Sequence, residues 1–336
     1  MSILTNFING KNNSCHPVWF MRQAGRYLPE FRKIRLKNPD FIKLCLNSEL
    51  SSEITLQPLK RFDLDAAIIF SDILMVPYGL GQTVTFKKNF GPVLSKFNTK
   101  EFLANTPNNF SEKLKPVYEA ISKTRIKLEN RKSLIGFVGA PWTLLIYMIS
   151  LKTSENVLNV EKFKSVKINI NNILENLTEY LKIHINNQIK AGADVIQIFD
   201  SWASLIPGED INNYCYKPNL DLVEYCKSKK TPVICFPKGI KRKYKDFVEI
   251  VKPNVINIDY NLDPMWVRDN LKKICIQGGM NPKILFQENK KIIKEATKYL
   301  DAFKDRSYIF NLGHGLLPDT NPDKLENLIK FIKEKK

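Results

Sequence analysis

The sequence has little of several features that mark specialised protein classes. Its fourteen glycines and eighteen prolines are spread along 336 residues, which excludes collagen and low-complexity repeats. No Walker P-loop, Gly-x-Gly-x-x-Gly motif, Cys-x-x-Cys pair or His-x-Cys pair is present. The hydrophobic fraction of 43% and the aromatic fraction of 11% exclude a disordered chain. What remains is a globular protein with a large core and no recognisable metal or nucleotide motif.

Acidic residues are scarce relative to basic ones. The chain has 52 Lys and Arg residues against 34 Asp and Glu residues, a formal net charge of +18. The densest basic run, residues 227–245, contains no acid. Such a run is usually a solvated face, and Phe236 and Tyr244 give little of the aromatic interleaving of a single-strand nucleic-acid groove. The excess charge is either a compositional habit of the surface or an attraction for a polyanion.

Three features of the sequence indicate the cellular compartment: the spacing of the cysteines, the first residues and the longest uncharged run. Irregularly spaced cysteines in a chain of this length are typical of reduced thiols in an intracellular protein. The six are Cys15, Cys45, Cys215, Cys226, Cys235 and Cys275. Residues 1–13 show no secretory pattern. The uncharged run 134–151 is interrupted by glycines and a proline, so a buried strand and a helix explain it better than a membrane span. We expect a cytoplasmic protein outside the membrane.

Eight short apolar runs rich in Val, Ile and Phe recur along the chain, each followed by a break and a helical stretch. Near-continuous apolar runs predict strands buried on both faces, as in a parallel sheet covered by helices. The predicted strands are residues 17–21, 66–70, 134–139, 193–199, 232–236, 255–259, 273–277 and 308–312. Eight such repeats predict a single (β/α)8 barrel of the TIM type, with an open doubly wound sheet as the alternative.

The predicted helices have recognisable ends. Apolar residues at helical spacing predict a helix over 162–189, which ends at Ala191-Gly192. Asp263-Pro264 and Asn321-Pro322 resemble a helix cap followed by proline in the first turn.

An insertion is predicted between the second and third strands. Residues 73–97 resemble a hairpin or irregular excursion, placed before a helix near 111–131. No linker of disordered composition divides the chain, so we predict one domain over residues 1–336.

Polar groups follow the predicted strands at the end where barrel enzymes have their active sites. They are Arg22, Gln23 and Arg26 in the segment Arg22-Gln23-Ala24-Gly25-Arg26 after the first strand, Ser71 and Asp72 after the second, Asp200 and Ser201 after the fourth, and His314 after the eighth. His314 stands between two glycines, where core packing is a poor explanation. Asp200 is expected to be a structural acid bonded to neighbouring backbone, and Tyr147 a core residue by default. The arginines and the histidine favour an anionic ligand, either a polycarboxylate or a phosphorylated substrate.

Four blocks of sequence, in order along nearly the whole chain, resemble the signatures of the uroporphyrinogen decarboxylase family. The first, Pro-Val-Trp-Phe-Met-Arg-Gln-Ala-Gly-Arg-Tyr-Leu-Pro-Glu-Phe at 17–31, is long enough to be highly specific. The others are Leu-Asp-Ala-Ala-Ile-Ile-Phe-Ser-Asp-Ile-Leu at 64–74, Gly-Phe-Val-Gly-Ala-Pro-Trp-Thr-Leu at 136–144 and Asn-Leu-Gly-His-Gly at 311–315.

The resemblance implies a homodimeric barrel that works without cofactor or metal. Its partner would be a polycarboxylate tetrapyrrole, with no nucleic acid and no membrane. The implied reaction converts the four acetate side chains of uroporphyrinogen III to methyl groups in heme biosynthesis, giving coproporphyrinogen III and carbon dioxide. Asp72 would be the catalytic transition-state stabiliser, assisted by Arg22 and Arg26. The implied substrate contacts are Arg22, Gln23, Ala24, Gly25, Arg26, Phe41, Asp72, Tyr147, Ser201 and His314.

Two places depart from the family pattern, and two alternatives stay open. Gly279-Met280-Asn281 stands where Asn-Leu-Asp is expected, and Ser204 replaces an expected glycine. One alternative is a corrinoid-linked methyltransferase with the same barrel, although those proteins use a His-x-Cys zinc site and lack the Arg-Gln-Ala-Gly-Arg block. The other is a basic nucleic-acid-binding protein, which only the net charge supports.

Overall fold

The computed structural model of the protein describes residues 2–11, 16–87 and 91–335, so Cys15 lies outside the described residues. Seven strands in this part of the chain form one parallel sheet, ordered β1-β4-β5-β6-β7-β8-β9, and two more form an antiparallel hairpin. The strands are β1 (Ala66–Ile68), β2 (Val84–Lys87), β3 (Gly91–Leu94), β4 (Ser133–Gly139), β5 (Val195–Asp200), β6 (Val233–Pro237), β7 (Val255–Ile258), β8 (Cys275–Gly278) and β9 (Tyr308–Ile309).

Helices connect the strands and pack against the sheet, with contacts to β1, β4, β5 and β6. The α-helices are α1 (Ile3–Ile8), α2 (Pro29–Lys37), α3 (Phe41–Cys45), α4 (Ser48–Arg61), α5 (Met75–Gly79), α6 (Thr99–Leu103), α7 (Pro107–Lys127), α8 (Pro141–Met148), α9 (Val160–Lys190), α10 (Lys217–Ser228), α11 (Tyr244–Val251), α12 (Pro264–Asn270), α13 (Asn289–Ala302) and α14 (Pro322–Glu334). Short 3-10 turns lie at Ala203–Leu205, Gly208–Asp210, Lys241–Lys243 and Pro282–Phe286, and a π turn at Asn212–Tyr216.

The sheet is curled and buried on both faces. Successive residues of its strands alternate between two apolar clusters, as Leu134 and Ile135 do in β4, because side chains in a strand alternate in direction. The inner cluster contains Ala66 of β1 and also Ile309 of β9, from the opposite edge of the sheet. Both edge strands therefore face one common interior.

The N-terminal end of this interior is covered by α1. Leu4 and Phe7 belong to the inner cluster, and the Leu4 N–H donates to Ser133 Oγ at the start of β4, 2.9 Å away. Since all seven strands are parallel, their C-terminal ends meet at the other end.

The predicted strand 17–21 is the one that the structure does not form as a strand. Within the described residues it makes a single parallel bridge, Val18 to Phe310. Two of its N–H groups donate to side chains in place of a neighbouring backbone, that of Val18 to Asp65 Oδ2 at 2.7 Å and that of Met21 to Asn311 Oδ1 at 3.1 Å. The Trp19 N–H still donates to the Phe310 carbonyl at 3.3 Å. The other seven predicted strands are confirmed with shifted ends.

The predicted helix ends and the predicted insertion are also confirmed. α9 runs from Val160 to Lys190, and Gly192 follows it with a φ of +114°. Asp263 and Asn321 both accept hydrogen bonds from N–H groups in the first turn of the helices that they precede. The excursion within 73–97 contains the β2–β3 hairpin.

The five cysteines in the described ranges are free and buried. None of the helices described is long and apolar enough to cross a membrane.

Gly279 belongs to the first departure from the family pattern. It has a φ of +102°, and a Cβ there would lie 2.5 Å from the Tyr299 ring, so this position needs glycine in the present packing.

Candidate active site

The loop after residue 21 and the loop after β9 meet at the C-terminal end of the sheet. Arg22 has a left-handed backbone conformation, with a φ of 61°. A Cβ on Gly315 would lie 2.5 Å from Arg22 Cδ, so the absence of a side chain there lets the arginine lie across the turn that carries His314. Two blocks near opposite ends of the sequence thus form one side of a cleft.

Arg22 and Arg26 are uncompensated positive charges. Both side chains are exposed, and neither forms an ion pair within the residues that the structure describes. A guanidinium group presents several N–H donors in a fixed plane that fits a carboxylate. The two residues can therefore receive an anionic ligand.

Gln23 lies between the arginines, but its side chain points into the protein. It is fully buried, its Oε1 accepts from the Phe20 N–H at 3.0 Å, and its Nε2 donates to the Ala66 carbonyl at 2.9 Å. The Tyr27 hydroxyl donates to the Gln23 carbonyl at 2.8 Å. Gln23 therefore anchors the arginine loop to β1, whereas Ala24 and Gly25 are half-buried at its surface.

Asp72 is a half-buried carboxyl group four residues beyond the end of β1. The Leu74 N–H donates to its Oδ1 at 2.9 Å, and within the described residues Oδ2 accepts no hydrogen bond. Burial raises the pKa of Asp72 to about 6, while the Leu74 N–H and the charge of Arg22 act in the opposite direction. The group is thus ionised at neutral pH and keeps unfilled acceptor capacity.

Tyr147 and Ser201 line the same end of the sheet from α8 and from the end of β5. Tyr147 is half-buried and packs edge-on against Trp202, with ring centroids 6.1 Å apart. Burial raises the pKa of its hydroxyl, and the nearby charge of Asp72 raises it further, so Tyr147 stays protonated. Ser201 is half-buried beside Trp202. These two residues offer neutral hydroxyl groups.

Phe41 forms an apolar wall on the Asp72 side. Its ring lies 5.8 Å from Phe70 and 4.6 Å from Phe86 of β2, centroid to centroid. The Arg35 guanidinium lies over the Phe41 ring, 5.7 Å from its centre. The β2–β3 hairpin therefore adds Phe86 to this wall, a residue that is not among the substrate contacts implied by the family resemblance.

His314 is half-buried and uncharged at neutral pH. Burial, together with the charges of Lys238 and Arg22, lowers its pKa to about 4, against a hydrogen bond between Nδ1 and the Gly315 carbonyl. The sequence-based argument grouped this histidine with the arginines as an anion-binding group. Its surroundings instead make it a neutral hydrogen-bonding residue.

Lys238 is a site residue that the sequence alone does not single out, because the composition of the run 227–245 predicts a solvated face. The other basic residues of this run are exposed, but Lys238 is half-buried directly after β6. Burial lowers its pKa, and the charge of Arg22 contributes in the same direction while Asp259 opposes both. The rule that active sites follow strand ends, applied to the predicted strand 232–236, is the signal that points to Lys238.

Asp200 at the end of β5 is a structural acid, as the sequence suggested, although its partners are mainly side chains. Thr143 donates its hydroxyl to Oδ1 at 2.7 Å, and the Asn219 amide donates to Oδ2 at 3.3 Å. Burial raises its pKa to about 6. Among the residues described, no three His, Cys, Asp or Glu side chains are grouped as metal ligands.

Known proteins resemble this chain over its full length. Residues 1–335 match the sequence profile of the family described as uroporphyrinogen decarboxylase (URO-D). Uroporphyrinogen decarboxylase of Rickettsia felis is 40% identical over 96% of this chain and 94% of its own length, and that of Rickettsia bellii is 41% identical over 99% of each. A methyltransferase from Methanosarcina mazei shares the fold, with a TM-score of 0.80 at 16% identity over 99% of this chain and 97% of its own. The chain therefore belongs to the uroporphyrinogen decarboxylase family.

Proposed function

We propose that this cleft removes carbon dioxide from the four acetate arms of uroporphyrinogen III and releases coproporphyrinogen III, a step of tetrapyrrole biosynthesis. Family membership and full-length relatives at about 40% identity support this reaction over a methyltransferase, which shares only the fold at 16%. The observation that carries the proposal is the combination of Arg22, Arg26 and Asp72. Unpaired cations and a carboxylate on one rim match a ligand with carboxylate arms around a ring of N–H donors.

The chemistry needs an electron sink, and the protonated pyrrole can supply it. Protonation at a ring carbon gives a cation, the bond between the acetate methylene and its carboxyl carbon breaks, and the electron pair flows into that cation. A second proton then adds to the exocyclic methylene, and the ring returns its first proton. The net change is one acetate and one proton to one methyl group and carbon dioxide, with no cofactor in the balance.

Asp72 stabilises the cation in this scheme. Its ionised carboxylate faces the pyrrole N–H groups, with Oδ2 as the acceptor that no described residue occupies. A fixed negative charge in a half-buried place lowers the energy of a positively charged intermediate more than water would. A carboxyl with a pKa of about 6 is ionised at neutral pH.

The remaining residues hold the substrate in the orientation that the reaction needs. Arg22 and Arg26 bind carboxylate arms, and the backbone of Ala24 and Gly25 lies between them. Phe41 packs against the ring system. Tyr147, Ser201 and His314 offer neutral hydrogen bonds, which suits a substrate that already carries eight negative charges.

The finer features of the fold and assembly are part of the same proposal. Residues 17–21 occupy the position of the eighth strand and close a (β/α)8 barrel. The Phe310 N–H donates to the Pro17 carbonyl at 2.8 Å, and the Asp65 N–H donates to the Val18 carbonyl at 2.9 Å. The chain is one domain over residues 1–336, and it works as a cytoplasmic homodimer without nucleic acid. Sedimentation of the purified chain tests the dimer.

The test of the reaction is anaerobic incubation with uroporphyrinogen III and separation of the products. Coproporphyrinogen III and four equivalents of carbon dioxide are expected. Absence of product under conditions in which the Rickettsia felis relative forms it would contradict the proposal. Methyl transfer from a corrinoid, or tight salt-sensitive binding of duplex DNA in place of turnover, would favour the alternatives.

A further inference from the structure

The backbone at Lys238 is fixed between the ends of β5 and β7, the two strands that flank β6. Its N–H donates to the Asp200 carbonyl at the end of β5, 3.1 Å away, and the N–H of Gly239 donates to Asp259 Oδ2 just after β7, 2.8 Å away. Gly239 has a φ of +80°, and a Cβ there would lie 2.8 Å from Ser204 Cβ. The lysine therefore leaves a rigid turn, and the Ser204 departure from the family pattern packs directly against that turn.

Close contacts connect this turn to the arginine side of the cleft. A Cβ on Gly313 would lie 2.4 Å from the Tyr260 backbone nitrogen, next to Asp259, and Gly315 lies against Arg22. The His314 turn is thus packed between Arg22 and the Asp259 segment that holds Lys238. The positive charges of Lys238 and Arg22 both lower the pKa of His314, which agrees with one shared space.

No described residue neutralises Lys238. Its side chain is half-buried and makes no ion pair within the described ranges. The carboxylate in the neighbourhood, Asp259, is occupied by other donors, since it accepts from the Gly239 N–H at 2.8 Å, the Tyr244 hydroxyl at 3.3 Å and the Asn261 N–H at 3.0 Å. A partly desolvated ammonium group without a counter-ion is costly, and such groups concentrate at functional sites.

We infer that Lys238 binds a propionate arm of the substrate, that is, a carboxylate that survives all four reaction cycles. This rests on the proposed function. Arg22 is the cation whose charge acts on the pKa of Asp72, whereas Lys238 leaves the turn that packs through Asp259 against the His314 turn. A tight ion pair to the reacting carboxylate would stabilise the ground state against loss of neutral carbon dioxide, so an added cation serves better on an arm that is kept. An interaction that is equally strong in the ground state and in the transition state changes KM and leaves kcat unchanged.

The product is the direct probe of this assignment, because coproporphyrinogen III keeps the propionates and has lost the acetates. Its anaerobic binding is measured by quenching of tryptophan fluorescence for the wild type, Lys238→Met, Lys238→Arg and Lys245→Met. Lys245 is exposed on the same basic run, so its replacement removes the same charge from the surface without touching the cleft. We expect Lys238→Met to weaken product binding about tenfold, with Lys238→Arg and Lys245→Met within about twofold of wild type.

Turnover separates binding from other roles. Lys238→Met should raise the KM for uroporphyrinogen III about tenfold with kcat within about twofold, and its thermal midpoint should not fall, because a half-buried uncompensated charge is removed. Unchanged product binding and KM in Lys238→Met, an equal loss in Lys245→Met, or a loss confined to kcat would each overturn the inference. If Lys238→Met does not fold, Lys238→Gln is measured against the same criteria. A wild type that binds coproporphyrinogen but forms none refutes the proposed reaction, while the binding series still decides the role of Lys238.

Discussion

Asp72 lies four residues after β1 and Asp200 is the last residue of β5 in the same sheet, and burial raises the pKa of each carboxyl group to about 6. Their surroundings differ. Both oxygens of Asp200 accept hydrogen bonds from side chains, Thr143 at 2.7 Å and Asn219 at 3.3 Å. Asp72 receives one backbone N–H on Oδ1, and its Oδ2 accepts nothing from the described residues.

A raised pKa therefore does not distinguish the carboxyl group proposed for catalysis from the structural one. Desolvation raises the pKa of both carboxyl groups, so the raised value indicates only that each group is buried. The difference lies in acceptor capacity that the protein itself leaves unused, together with a nearby cation, Arg22, that belongs to the cleft. Asp72 is prepared for a ligand, whereas Asp200 is already satisfied.

The largest expected effect is that of Asp72→Asn. Losing the negative charge opposite the pyrrole cation should lower kcat by roughly 100- to 1,000-fold, with an unchanged or higher thermal midpoint, because a desolvated carboxylate is removed. Steady-state kinetics under anaerobic conditions and a melting curve check both parts. Full turnover by Asp72→Asn would place the cation-stabilising group elsewhere.

Replacement of the cation beside Asp72 should have the next largest effect. Arg22→Met removes a charged hydrogen-bonding partner of a substrate arm, so kcat/KM should fall about 30-fold, which corresponds to about 2 kcal/mol. Lys37→Met, an exposed position at the end of α2, is the matched control for the loss of one charge and should stay near wild type. Equal losses in both variants would mean that only the overall field matters.

The pH dependence of kcat/KM should follow Asp72. With a pKa of about 6, the group is protonated as pH falls, so at pH 5 about one tenth is ionised and kcat/KM should be about tenfold below its plateau. His314, with a pKa of about 4, does not change charge in this window. The residual activity of Asp72→Asn should lack the acidic limb, and that of Asp200→Asn should keep it. A flat wild-type profile between pH 5 and 7 would contradict the assignment.

The smallest effect on turnover is expected for Asp200→Asn. The new amide can still accept from Thr143, but its NH2 group meets the donating NH2 of Asn219. The free energy of unfolding should therefore fall by about 1 to 3 kcal/mol, while kcat changes less than about threefold. Denaturant unfolding and kinetics on the same sample separate the two quantities. A kcat loss as large as that of Asp72→Asn would remove the distinction between the two acids.

Much of the fold and several site residues follow from local signals in the sequence. The apolar runs locate the seven strands, and the rule about strand ends places Arg22, Asp72, Ser201 and His314 at one rim. The segment 17–21 has the same composition as the strands, but the side chains of Asp65 and Asn311 accept two of the N–H groups that a regular strand would pair with a neighbouring backbone. The composition of a segment cannot reveal such hydrogen bonds to side chains that are distant in the sequence.

The remaining features depend on burial and direction, which a single sequence does not contain. Gln23 lies inside the binding motif, yet its amide serves Phe20 and Ala66. His314 loses its charge because it is desolvated beside two cations. Lys238 is separated from the surrounding basic run only by its position after β6.

The packing of Gly315 against Arg22 also bears on how the enzyme is made in the cell. Arg22 and Arg26 are synthesised early. The turn that supports Arg22 is synthesised late, as is Phe310, whose backbone pairs with residues 17–19. Until then the early arginines have no cleft to line. Nascent chains that stop short of this turn should be inactive rather than partly active, so catalysis begins only when synthesis of the chain is nearly complete.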